Sequence, residues 1–293
     1  MYGQFCENYD ESYPVLREET SHDFHRFFAL SYTIHDTVFE QAVYERLMRT
    51  IKQKTSRFSA LRSRYTPLLV AHVQLNSTDP DLLIEEIIVA EKKIKHRLIR
   101  DKGVRPFFAL NEVLNRRQGI DAFPYMERLH ATRPHLNAAK QYVVTSTLLE
   151  QRPLPKEFLE RVDTSEEWLA QYMERTSERV ITAQILAAHP DPSAQQERIV
   201  AWRELLERRE IIIWDRLMPI LALLPSMERV DWIYVTRIVD RERARNRFSD
   251  EVNWLIAFHL LLAKTGVTRV QATLLLLVRT RVDEKTVNLK QNR

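Results

Sequence analysis

The side chains that could do chemistry in this sequence fall into three groups. His22 and His25 stand three apart and are followed by His35-Asp36, a spacing that can bring two imidazoles and a carboxylate near one helix face, the beginning of a metal site. Nothing supplies a third and fourth ligand, so no metal or other cofactor is expected. His130 and His135 flank Pro134 and need not face one another.

Arginine forms the second group. Arg57, Arg62 and Arg64 crowd one inter-helix turn, where guanidinium groups can hold a phosphate or carboxylate in bidentate fashion; the alternative is pairing with carboxylates of the adjacent hairpin. The run Arg237, Arg241, Arg243, Arg245 and Arg247, interrupted by Asp240 and Glu242, reads as a solvated helix end whose cations suit the helix dipole.

The third group is a row of polar residues set in apolar surroundings: Ser31, Asn111, Ser146, Gln184 and His259. Each stands four residues after the start of a strongly apolar segment, a place that Leu69 and Leu221 take in two further segments. In a stack of repeats such equivalent positions form a line along one surface, so the row is expected to line a groove; hydrogen bonds buried between neighbouring helices are the competing account. Since the chain has no glycine-rich phosphate loop, nucleophile elbow, paired-histidine helix motif or spaced cysteine pair, no catalytic residue is assigned.

The elements that must carry these groups follow from composition and period. With 44% hydrophobic and 29% charged residues in 293, the chain can bury a real core. It has only 4 glycines, too few for many tight turns, which favours helices over sheets. The apolar segments Phe27 to Ile34, Tyr65 to Val73, Phe107 to Leu114, Tyr142 to Leu149, Val180 to Ala187, Leu217 to Leu224 and Leu255 to Leu262 recur at steps of 35 to 42 residues, averaging 38. That is the period of a helical hairpin that cannot hide its apolar helix without neighbours. The expected fold is all-α, an α-α superhelix or solenoid of about seven hairpins with the stacking of HEAT and tetratricopeptide repeats.

Amphipathic stretches lie between the apolar segments. Capped starts are expected at Thr37 with Glu40, at Asp79-Pro80, at Thr164 with Glu167 and at Ser193 with Gln196. Behind Asp79, the row Leu83, Ile87, Ala90, Ile94 and Leu98 should face the core, with Glu91 and Lys95 on the wet side. Pro67 and Pro219, inside apolar segments, fit a helix only in its first turn. One domain is expected over 1–281, with a hinge at 151–155 where Pro153 and Pro155 fall, then a polar tail at 282–293.

Several segments resemble an uncharacterised bacterial domain-of-unknown-function family, number four thousand and three, over about Leu47 to Ala263. Ile51-Lys52 through Phe58-Ser59-Ala60-Leu61-Arg62-Ser63 is similar to that family's lysine-rich helix end and following turn. Met126-Glu127-Arg128, His135-Leu136 and Tyr142 to Leu149 resemble its next apolar helix, and Ile199 to Glu207 with Met218 to Leu224 resembles the pair after that. Where the family carries threonine-serine and an aspartate before the tyrosine, this chain has Asn137 to Gln141. The resemblance implies an all-helical bacterial protein and no particular activity.

Charge and cysteine set the remaining expectations. The net charge is +4, with arginine supplying 33 of the 44 basic residues, which leaves nucleic-acid binding open. A single cysteine, Cys6, and an acidic, aromatic N-terminus unlike a secretory signal suit a cytoplasmic protein. The longest apolar run, Trp254 to Ala263, is about half a membrane span, so no membrane partner is expected. The function expected is that of a non-catalytic scaffold holding a peptide or protein in its groove. The alternatives are a binder of, or enzyme on, a phosphorylated or carboxylate metabolite through the arginine turn, and nucleic-acid binding.

Overall fold

The computed structural model describes residues 1–16, 22–63, 65–95, 103–121, 123–124, 143–148, 157–174, 176–225, 228–245, 250–264 and 266, and among these every regular element is helical and no strand occurs. The chain divides into two compact units, whose described parts fall within Met1–Glu150 and Gln151–Leu274. The 151–155 hinge, the 282–293 tail, Leu98, His130, His135 and Arg247 lie outside the described residues.

The first unit contains α1 (Tyr2–Leu16), α2 (His22–Ile34), α3 (Gln41–Lys54), a 3-10 turn (Ala60–Arg62), α4 (Thr66–Asn76), α5 (Pro80–Lys95), α6 (Arg105–Arg117) and a helical stretch α7 over 143–148. Helices pair in chain order, α1 with α2, α3 with α4 and α5 with α6. Across pairs, α2 packs on α4, α4 on α6 and α3 on α5. The helices that touch across pairs along the first of these lines, α2, α4 and α6, are those built from the apolar segments, and they are buried almost all round. A helix with no polar face has to be covered on every side, and each buried leucine or phenylalanine then contributes about 1.5–3 kcal/mol.

Local chemistry explains where these helices begin and end. The Asp79 carboxylate accepts from the Leu82 amide at 3.0 Å, the expected cap ahead of Pro80. Pro67 falls in the first turn of α4, and Pro106, which the sequence reading passed over, does the same in α6. Past α6, Gly119 takes φ 75, the left-handed conformation that ends a helix at no steric cost to glycine. The Thr37–Glu40 capping box does not form: Glu40 occupies the cap position without a side-chain bond, and Thr37 donates to the His35 carbonyl. Asn8 of α1 holds that turn instead. Its amide donates to Thr33 Oγ1 at 3.1 Å and to the Thr37 carbonyl at 3.0 Å, while its oxygen accepts from the Phe39 amide at 2.9 Å. Phe39, thus fixed, packs edge-on against Phe28 and Tyr44.

The second unit contains α8 (Phe158–Leu169), α9 (Ser177–Ala188), α10 (Pro192–Arg208), a 3-10 turn (Asp215–Leu217), α11 (Met218–Leu221), α12 (Arg229–Arg245) and α13 (Asp250–Ala263). Here α8 packs on α9, α9 on α10 and α11, α11 on α13, and α12 on α13. Two expected starts are corrected. Thr164 and Glu167 lie inside α8, where Thr164 donates to the Glu160 carbonyl one turn back. Asp191, not Ser193, caps α10, accepting from the Ala194 amide at 3.0 Å with Pro192 in the first turn. Pro219 sits in the first turn of α11, but that helix is only four residues long. Gln195 and Trp202 reach from α10 to the carbonyls of Ala222 and Pro225, which gives the short helix an anchored exit.

Candidate functional site

The polar row comes to rest in the interior. Ser31, Asn111, Ser146, Gln184 and His259 are all buried, and Leu69 and Leu221 with them. Asn111 donates through Nδ2 to Ser146 Oγ at 3.1 Å, to Thr147 Oγ1 at 2.9 Å and to the Val143 carbonyl at 3.2 Å, and Asn115 donates to the Ser146 carbonyl at 2.9 Å. Ser31 returns its hydroxyl to the Phe27 carbonyl of its own helix. A side chain with almost no accessible surface cannot touch something docked outside, so these residues lie in the interior and do not line an open groove. His259 is enclosed among the apolar residues of α13, and burial lowers its imidazole to about 3, so it is neutral at pH 7.

The arginine turn is also spoken for in part. Arg62 donates from Nε to Thr55 Oγ1 at 3.1 Å and from Nη2 to the carbonyls of Lys52 and Thr55, so its cation closes the C-terminal end of α3, where carbonyls lack intrahelical donors. Arg57 is exposed, and Arg64 lies outside the described residues. In the second arginine run, Arg243 makes a two-pronged bond to Asp250 at 2.6 and 2.9 Å and holds that carboxyl below its ordinary range.

Of the metal fragment, the side chains of His25 and His35 are described and that of His22 is not. The His25 ring is buried and stands edge-on to Tyr13, with centroids 5.0 Å apart, while burial lowers the His35 pKa. Among the described residues no group of three or more histidine, cysteine, aspartate or glutamate side chains could hold a metal ion. Nor is any helix among them long and apolar enough to cross a membrane.

What the structure does present is a groove on the first unit, between α5 and α6. The two helices run antiparallel, as two ion pairs show: Glu86 meets Arg117 at 2.6 Å, and Glu91, further along α5, meets Arg105 at the opposite end of α6. Between them lies an open cavity of about 520 Å³. Its floor is Ala90 and Val113, both buried, and its walls are Leu82 and Val89, which are 48% and 53% exposed. Glu85, Glu86, Lys93, Arg116 and Arg117 form the rim. The Glu91–Arg105 pair is itself buried, against the expectation that Glu91 faces water. Arg116 pairs with the buried Glu112 at 2.6 Å.

Sequence reasoning missed this groove because it followed one apolar row on α5. Leu83, Ile87, Ala90 and Ile94 do face the core. Leu82 and Val89, seven residues apart and off that row, were the available signal, since apolar residues outside the core stripe give a helix a second face.

The chain matches no family model, no curated protein and no solved structure.

Proposed function

We propose that this chain is a non-catalytic helical scaffold, a stack of hairpins, that takes up a peptide or protein partner in the groove of α5 and α6. The observation that carries this is a pair of large apolar side chains, Leu82 and Val89, left about half exposed beside an open cavity on two well-packed helices. Apolar side chains gathered around a concavity with a charged rim are the features a binding groove needs. A stack of hairpins with a period near 38 residues is supported by the contact order inside each unit, α2 to α4 to α6 in the first and α9 to α11 to α13 in the second. Repeat stacks of this kind present extended surfaces that take up partners.

The metabolite alternative has less behind it, because Arg62 directs its donors at the end of its own neighbouring helix. The test is selection of binding peptides from a displayed library of random helical sequences. Binders are expected whose affinity disappears in the variant Leu82→Asp/Val89→Asp while its melting temperature stays within a few degrees of the parent. Selected peptides that bind this variant as well as the parent would remove the groove from the proposal.

A further inference from the structure

The charge around the groove is unevenly spent, and that asymmetry bears on what fits it. At the end formed by the start of α5 and the end of α6, every rim charge is matched: Glu85 with Lys54, Glu86 with Arg117 and Arg116 with Glu112. At the other end, Lys93 of the rim and its neighbour Lys92 are exposed and have no ion pair among the described residues. Lysines near a helix C-terminus suit the helix dipole, a role their ammonium groups fill while still open to a further partner. The groove is thus apolar along its length and cationic at one end only.

From Leu82 to Lys93 the groove follows α5 for eleven residues, roughly 16 Å or three helical turns. That length suits a short helix, whose apolar residues at i, i+4 and i+7 could meet Leu82, Val89 and Val113. Resting on the docking role proposed above, we infer that the occupant is a three-turn amphipathic helix of a partner protein with acidic residues in its first turn, lying antiparallel to α5. Carboxylates are favoured at a helix N-terminus by its own dipole, and placing that turn at Lys92 and Lys93 satisfies both helices. The reverse orientation would bring acidic residues to the end where every charge already has its partner.

The library selection decides this if it is run in parallel on the parent and on Lys92→Glu/Lys93→Glu, both with unchanged melting temperatures. Against the parent, recovered peptides should share the apolar spacing and be enriched in aspartate and glutamate in the first turn. Against the charge-reversed variant the enrichment should move to lysine and arginine. A first-turn glutamate peptide should bind the parent roughly three- to tenfold more tightly than its lysine counterpart at low salt, and that preference should shrink as salt rises. Groove-dependent peptides with no charge bias, or a bias that Lys92→Glu/Lys93→Glu leaves in place, overturn the inference and leave the docking role standing. Failure to recover any peptide sensitive to Leu82→Asp/Val89→Asp overturns both. Self-association of the parent that is lost in Val89→Asp would give the groove to a second copy of the chain and also overturn the inference.

Discussion

Asn111 of α6 and Ser146 of α7 are joined side chain to side chain at 3.1 Å inside the first unit, both buried, across 35 residues of sequence. A polar pair of this kind ties two apolar helices in one register, because sliding either helix would leave a buried amide without acceptors. Replacing Asn111 with alanine is expected to lower stability by about 1–3 kcal/mol, since the hydroxyls of Ser146 and Thr147 lose a donor and a small cavity opens. Urea unfolding followed by circular dichroism measures this, and a change below about 0.5 kcal/mol would mean the pair contributes little.

The Glu91–Arg105 pair makes a sharper case. Both side chains are buried, so removing one leaves an uncompensated charge in the interior. Arg105→Met alone is expected to cost about 3–5 kcal/mol. Glu91→Leu/Arg105→Met, which removes both charges, should recover most of that loss. A double-mutant cycle in chemical denaturation reads the difference directly.

His259 sets a pH dependence whose sign follows from its burial. The folded chain holds the imidazole neutral down to about pH 3, whereas in the unfolded chain it protonates near its ordinary value of 6.5. Below pH 6.5 the unfolded state therefore binds the extra proton, and stability falls as pH is lowered from about 6.5 toward 3, by up to about 1.4 kcal/mol per pH unit. The variant His259→Leu should flatten this part of the profile between pH 6 and 4. Parallel slopes for the two proteins would show that the histidine escapes burial before it titrates.

Arg62 is expected to act on stability rather than on binding. Arg62→Ala removes the donors that close α3 and should cost about 1 kcal/mol, read as a lower melting temperature. An Arg62→Ala protein as stable as its parent would reopen the arginine turn as a ligand site.

Particular residues show what could be read in advance. The apolar segments led by Phe27, Phe107, Val180 and Leu255 all lie on buried helices, because a long run without polar residues has to be covered whatever covers it. Asp79-Pro80 and Pro67 likewise act within the first turn of their own helices, Asp79 by accepting from the Leu82 amide and the prolines by lacking an amide donor where none is needed, and the sequence reading placed them correctly. Thr37, Thr164 and Ser193 carried the same kind of signal and failed. In each case a competitor settled the matter: Asn8 from another helix at the first, continuation of the helix at the second and Asp191 two residues earlier at the third.

By itself, then, the sequence determined the helical class and which stretches are interior, since both depend on spacing and side-chain chemistry along one chain. Whether a polar residue among those stretches faces a groove or a neighbouring helix was decided only by tertiary packing, which buried Asn111 against Ser146 and Glu91 against Arg105. The same packing left Leu82 and Val89 uncovered, because which face of α5 meets α6 depends on how two helices fit together, and no local pattern encodes the cleft that remains between them.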